Sequence, residues 1–408
     1  MNFLQLSPKN ADLSGPTVRD ATAPEGLFFH YADEAKPLAT PWQVAVERAK
    51  MVRKCKIPDG IILDPACGSG IQLAAYCAMM GRKGLGIELD EATALAANSN
   101  LLRVANHGFD SSLTESTIRV GDGTIGDETL EIAMLHLDPA RPRNSRTHGL
   151  DEMAPKLPDI FSAWKDLLST GERGPAILLD LSPRLVEEQR IEVENIVEGF
   201  WPGIGKTWVW TSRGRGRIDR LSLWLGQLAT PGISRRFVRI PPDMKDKPVV
   251  VEGNGDKISD HRRPPRKGEH ISILDAALVE SGLAVEFLNS VLPEQEIIWS
   301  ITQGRRPQIH HSGPFEFENK KQELLIQASG RIVKLVHCEL SEEAIPRIVE
   351  ASRDYGFGKL TLRVAMNPEV QPRLQGSIDR QLISKGGSHA GFVAKQPHDS
   401  MLLLCLES

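Results

Sequence analysis

The stretch Ile61-Ile62-Leu63-Asp64-Pro65-Ala66-Cys67-Gly68-Ser69-Gly70 decides the fold. Its first residues read as a buried strand, the Pro and Gly that follow as a turn, and IQLAAYCAMM beyond it as an apolar helix. Glycines at such a turn let a ligand approach the backbone without a Cβ in the way, and the helix N-terminus offers unpaired N–H groups. Working outward through residues 60–240, the strand-like runs are IILD, KGLGIE, TIRVGD, IAMLHLD, GPAILLDLS, TWVWTS and SRRFVRI. Between them lie helical runs such as EATALAANSNLLRVAN, DIFSAWKDLL, PRLVEEQRIEVENIV and RIDRLSLWLGQL. The alternation predicts a doubly wound, Rossmann-like α/β sheet, mostly parallel, of about seven strands. Upstream, TPWQVAVERAKMVRKC reads as a helix lying against that sheet, with Thr40 as N-cap and Pro41 at its first position.

The turn also restricts its ligand. A dinucleotide loop normally carries a third glycine in GxGxxG, whereas here Gly68 and Gly70 are followed by Leu73, and the Asp64 carboxylate stands just upstream. A carboxylate repels a pyrophosphate but suits a cation, and S-adenosylmethionine carries both an ammonium and a sulfonium. Glu88 ends the next strand, about 20 residues on, where a ribose-binding acid belongs. Asp122, after the third strand, is placed to accept from an adenine amino group. Taken singly, each acid reads equally well as a turn former or a helix cap. Acids at three successive strand ends together match one ligand.

The motif DPACGSG (Asp64–Gly70), followed by GIELD (Gly86–Asp90), LAANSN (Leu95–Asn100) and VGDGT (Val120–Thr124), resembles the class I S-adenosylmethionine-dependent methyltransferases. LHLDPAR (Leu135–Arg141), with TPWQVAVERA upstream and IDRQLISKGGSHAGFVAK near the end, is similar to the group with a THUMP-like C-terminal domain. The resemblance implies S-adenosyl-L-methionine as cofactor, held by Asp64, Pro65, Ala66, Cys67, Gly68, Gly70, Glu88, Leu89, Asp122 and Gly123. It implies that Asp138 faces the methyl-transfer centre, with Pro139 and Ala140 in its wall and Arg141 available for an anion or the target. Where amino-methylating enzymes show (N/D)PP(Y/F), this chain has no aromatic residue to stack on a flipped base, so methylation of an exocyclic amine is not supported.

The motif variants resemble RNA enzymes, and tRNA is the substrate class they suggest first. Lys206 to His270 carries 15 Lys/Arg against 7 Asp/Glu, a basic stretch suited to a phosphate backbone. Arg143, beside Arg141 and Arg146, and the series Arg213, Arg215, Arg217 and Arg220 are the candidate substrate contacts, with a solvated loop as the plain alternative. Trp208 and Trp210 share a strand face and are expected to pack on a helix rather than on bases. Cys67 lies inside the cofactor loop and is not read as a nucleophile. Ser182-Pro183-Arg184 could line the pocket, with a turn at a strand end as the default reading.

At 408 residues, with 40% hydrophobic and 25% charged residues, the chain is expected to form two domains. Residues 1–38 read as an extended lead-in, 39–240 as the catalytic domain, 241–270 as a basic Pro/Gly-rich linker or insertion, and 271–408 as a smaller α+β domain. VVVEGNGDKI within the linker could form a hairpin at Asn254-Gly255. The five cysteines form no CxxC pair and no His/Cys set at ligand spacing, so neither a metal nor a disulfide framework is expected. No run is apolar enough for a membrane span and no secretory signal is visible, which points to the cytoplasm. A small-molecule or protein methyltransferase, and a non-catalytic nucleic-acid-binding module on the same fold, are the competing readings.

Overall fold

The apolar run Ile61–Asp64 forms a strand whose last three residues are buried, as a strand covered on both faces must be. In the computed structural model, which describes residues 4–32, 40–140, 149–367, 369–383, 387–396 and 400–407, this strand is the centre of a large sheet. The chain divides into two compact units, Met1–Val209 with Arg220–Ser234, and Trp210–Asp219 with Arg235–Ser408.

The first unit opens with β1 (Leu4–Leu6) and a hairpin of β2 (Thr17–Arg19) and β3 (Phe28–His30). There follow α1 (Trp42–Val52), β4 (Ile61–Asp64), α2 (Ile71–Met80), β5 (Gly84–Glu88), α3 (Glu91–Asn106), β6 (Thr117–Val120), β7 (Ile132–Leu137) and α4 (Leu157–Trp164). Then come β8 (Thr170–Gly171), β9 (Gly174–Leu181), α5 (Glu187–Phe200), β10 (Lys206–Ser212, which runs past the boundary at Val209) and β11 (Arg220–Gly226). The sheet order is β1-β6-β5-β4-β7-β9-β11-β10. β6, β5, β4, β7 and β9 are parallel, so their C-terminal ends share one edge, the edge at which ligands bind in open α/β sheets.

Three expectations are corrected here. RIDRLSLWLGQL, read as a helix, contains β11, which pairs antiparallel with β9 from Leu221 opposite Leu181 to Gly226 opposite Ala176. Its Leu221, Leu223, Trp224 and Leu225 are all buried, and a continuous apolar run is ambiguous between a buried strand and a buried helix. The lead-in is more than an extended tail, because β1 pairs antiparallel with β6. Thr40 does not cap α1. Its N-terminal amides are met by the hairpin instead, Trp42 N–H donating to Asp20 Oδ2 at 2.8 Å and Gln43 N–H to Thr22 Oγ1 at 3.1 Å. Thr40 Oγ1 accepts from Arg220 at 2.7 Å.

The second unit holds β12 (Arg235–Arg239), β13 (Val249–Gly253), β14 (His270–Leu274), α6 (Ala276–Glu280), α7 (Ala284–Val291), β15 (Ile298–Ile301) and β16 (Gln308–His311). It ends with β17 (Ile326–His337), α8 (Ile345–Arg353), β18 (Phe357–Leu362), α9 (Gln371–Ile383), β19 (His389–Lys395) and β20 (Met401–Glu407). A mixed sheet of order β15-β16-β14-β17-β20-β19-β18 separates two apolar clusters. One includes Ile345, Ile348 and Val349 of α8 with Leu374 and Ile378 of α9, and the other includes Ile271, Ile273, Ile332 and Phe392. In α8 the buried residues Ile345, Ile348, Val349 and Ser352 fall on one helical stripe. VVVEG does form a strand, but its partner is β12 upstream, from Arg235 opposite Gly253 to Arg239 opposite Val249. No strand follows Gly255, so the hairpin expected at Asn254-Gly255 is absent there.

Candidate cofactor site

Each carboxylate read from the sequence sits at the end of a parallel strand, and the four strands concerned are neighbours in the order β6-β5-β4-β7. Asp64 ends β4, Glu88 ends β5, Asp122 follows β6 and Asp138 follows β7. They therefore lie along one sheet edge because the strands run the same way.

The turn after β4 is held from beneath and from the side. Asp64 Oδ1 accepts from Ala66 N–H at 3.3 Å, Cys67 N–H donates to Ile87 O at 3.0 Å, and Gly68 N–H donates to Glu88 Oε2 at 3.0 Å. Glu88 Oε1 accepts from Asp90 N–H at 3.0 Å, so one side chain ties the turn to the start of α3. Burial pushes the Glu88 carboxyl up, against the lowering effect of the N–H groups of Asp90, Gly68 and Leu89. Gly70, at φ 70°, starts α2, and a Cβ there would lie 3.0 Å from Ala97 Cβ. Gly68, at φ 51°, differs: a Cβ there would meet nothing within 4 Å. The turn presents open space at Gly68 and packed protein at Gly70.

Beside this space Leu89 is 76% exposed, an apolar side chain next to the Glu88 carboxylate. Asp122 is exposed, with Oδ1 accepting from Thr124 N–H and Thr124 Oγ1, each at 2.8 Å. Gly123 crosses so close to the turn that a Cβ would lie 2.0 Å from Pro65 O, and its own carbonyl accepts from Trp164 Nε1 at 2.7 Å. Pro65 and Ala66 supply the turn itself. Cys67 is buried, and burial, with Asp64 and Glu88 nearby, raises its thiol well above the ordinary range, which suits packing and not nucleophilic attack.

Asp138 is half-buried; burial and the neighbouring Asp180 push its carboxyl up, against the pull of Arg220, His136 and Arg48. Pro139 is buried and Ala140 exchanges backbone hydrogen bonds with Ala154 at 2.9 and 3.0 Å. Arg141, Arg143 and Arg146 lie outside the described residues. Ser182 makes the expected turn, its Oγ accepting from Arg184 N–H at 3.2 Å. Trp208 donates to Glu194 Oε1 of α5 at 2.6 Å, the helix-facing role expected of it.

The other substrate candidates belong to the second unit. Arg213 is bound to Asp219, through Nε and Nη2 at 3.0 and 2.9 Å, while Arg215 and Arg217 are exposed. Several further cations of the basic stretch are also used internally, Arg236 with Glu252 at 2.6 Å and Arg239 with Asp275 at 3.4 Å. Arg215, Arg217, Lys245, Lys247, Lys257, Arg262, Arg266 and Lys267 remain exposed.

Three side chains beneath the edge escaped the sequence reading. Arg48 of α1, His136 of β7 and Asp180 of β9 are fully buried and linked, with Arg48 Nη1 on Asp180 Oδ2 and His136 between Asp180 and Asp64. The available signal was a His and an Asp interrupting apolar strands, in IAMLHL and ILLDL. No group of three or more His, Cys, Asp or Glu among the described residues is arranged to hold a metal ion, and no helix among them is long and apolar enough to cross a membrane.

The first unit's sheet order defines a mostly parallel α/β fold, and the chain is similar in fold to a solved methyltransferase. A Porphyromonas gingivalis W83 protein assigned as a methyltransferase superposes with a TM-score of 0.60 at 13% identity, over 92% of this chain and 83% of that one. A methyltransferase from Pyrococcus furiosus aligns at 16% identity over 51% of this chain and 92% of its own, with a TM-score of 0.35. No protein-family model and no curated protein sequence matches the chain. At such identities the likeness extends to the fold.

Proposed function

We propose that the chain is an S-adenosylmethionine-dependent methyltransferase acting on RNA, with tRNA as the first substrate to test. The observation that carries the cofactor reading is the row of Asp64, Glu88 and Asp122 at adjacent parallel strand ends, around a left-handed Gly68 whose missing Cβ leaves open space. In this reading Glu88 accepts from the ribose hydroxyls, exposed Leu89 covers an adenine face, Asp122 accepts from the adenine amino group, and buried Asp64 holds the turn that receives the methionine end. When bound, the cofactor supplies an electrophilic methyl group on a sulfonium.

The protein's task is then to align the acceptor and manage its proton. Asp138, whose carboxyl burial and Asp180 push up, accepts a proton from, or orients, the incoming nitrogen or oxygen. Pro139 shapes the wall beside it and Arg141 meets an anionic group of the substrate. Arg143, Arg215 and Arg217 contact phosphates. Arg213, bound to Asp219, shapes its loop in the same reading. Residues 271–408 are read as a THUMP-like domain and the protein as cytoplasmic.

A small-molecule or protein acceptor is the second reading, favoured by the internal pairing of Arg213, Arg236 and Arg239. Isothermal titration with S-adenosylmethionine and, separately, NAD tests the cofactor: binding of the first alone, lost in Glu88→Ala, is expected. Absence of binding sinks the reading. Methyl transfer to unmodified tRNA, compared with protein and small-molecule acceptors, then separates the substrates.

A further inference from the structure

The apolar strands β4, β7 and β9 carry side chains that meet in the interior: Asp64, His136 and Asp180, which are 2%, 1% and 1% exposed. His136 Nδ1 lies 2.8 Å from Asp64 Oδ2, and Nε2 lies 3.2 Å from Asp180 Oδ2. An ionised carboxylate only accepts hydrogen bonds, whereas a neutral imidazole has one N–H and one lone pair. A neutral His136 would set its lone pair against a carboxylate where water does not reach. Donation from both ring nitrogens satisfies both partners, and it makes the ring an imidazolium. Two buried cations, Arg48 and His136, then balance two buried carboxylates.

The groups packed around the ring fit this state. Arg48, reaching in from α1, also donates to Gln72 of α2 at 3.2 Å and keeps Asp180 ionised. Tyr76 of α2 stands edge-on to the imidazole at 5.2 Å between centroids. Asp138, beyond β7, and Arg220 of β11 add one charge of each sign. Asp64 also has the Cys67 thiol, whose pKa burial raises, and the Glu88 carboxyl near it. The Asp64 carboxylate is thus fixed at both oxygens, by His136 at one and by the Ala66 N–H of the turn at the other.

We propose that His136 is a positioning residue: a fixed imidazolium, bound to both carboxylates, that holds Asp64 and through it the Pro65–Gly68 turn in the form that receives the cofactor. The proposal rests on the cofactor reading above. Loss of the ring proton leaves one N–H for two carboxylates. Asp180 keeps Arg48, so the remaining N–H stays on Asp64 but no longer carries the charge that balanced it, and the anchor of the turn weakens.

The test uses the full chain and two readouts. In proton–nitrogen correlation spectra of histidine-labelled protein, His136 is assigned by its absence in His136→Gln or, if that variant does not fold, by its response to Asp180→Asn. Both ring nitrogens should carry protons at pH 7, and the ring should become neutral only near about 9. One unprotonated ring nitrogen at pH 7 overturns the proposal. In parallel, S-adenosylmethionine affinity is titrated from pH 7 to 10. It should fall as pH rises through the ring's transition, and Asp180→Asn should move both transitions to lower pH together. Affinity that stays level while the ring loses its proton overturns the proposal. No binding at any pH overturns the cofactor reading instead, and the spectrum still decides the charge of His136.

Discussion

Glu88 Oε2 accepts the N–H of Gly68 at 3.0 Å, so the end of β5 holds the turn that follows β4. The same carboxylate is proposed to meet the cofactor. Glu88→Ala removes an acceptor for two backbone N–H groups and should weaken S-adenosylmethionine binding about 10- to 100-fold, the scale of a charged hydrogen bond. Glu88→Gln keeps one carbonyl and should lose less. Because burial raises this carboxyl, acidification should weaken binding in the wild type at a higher pH than an ordinary glutamate would give, as the acceptor becomes protonated. Equal affinities across these variants in calorimetry would remove Glu88 from the site.

Gly68 and Gly70 are both left-handed but face different surroundings. Gly70→Ala drives a Cβ to 3.0 Å from Ala97 Cβ and 3.1 Å from Ala97 Cα, and should lower the melting temperature with a cost of about 1–3 kcal/mol. Gly68→Ala has room and should cost only the backbone strain, about 1 kcal/mol, yet its methyl enters the space assigned to the cofactor. Melting and binding measured on both variants should rank them in opposite orders.

The His136 imidazole is buried, which lowers its pKa, but Asp64 and Asp180 together lift it from 6.5 to about 9. A raised folded-state value means stability that is fully present below about 6.5 and is lost as pH rises through about 9. The loss is roughly 3 kcal/mol. Thermal melts from pH 6 to 10 should show it, and Asp64→Asn should flatten that slope. A melting temperature that holds steady to pH 10 would contradict the linkage.

Arg213 is bound to Asp219, whereas Arg215 and Arg217 are exposed, Arg215 with φ 62°. Arg213→Ala should therefore lower stability. Arg215→Gly removes a charge and relieves a left-handed side-chain position, so it should leave melting unchanged or raise it. With Arg217→Ala it should weaken tRNA binding and reduce the slope of log affinity against log salt by about one for each phosphate no longer neutralised. Binding that ignores both variants would favour the protein or small-molecule acceptor.

Local pattern determined a good deal of this molecule. The strand-turn-helix at Ile61–Met80, the parallel strands β4, β5, β6, β7 and β9 and most of the helices follow from apolar period and from glycine placement, which act over a few residues. So does the placing of Asp64, Glu88, Asp122 and Asp138 at strand ends, since the residue after a buried strand returns to the polar edge of the sheet. What pattern could not decide is pairing. RLSLWLG is equally apolar as helix or strand, and only the open edge of β9 makes it β11. VVVEG pairs with β12 because that strand offers an unpaired edge. The Arg48–Asp180–His136–Asp64 chain joins residues as many as 132 apart, and each is an ordinary polar residue in its own segment. Charges buried at such separation compensate one another only once the sheet has brought them together, so their roles belong to the tertiary structure.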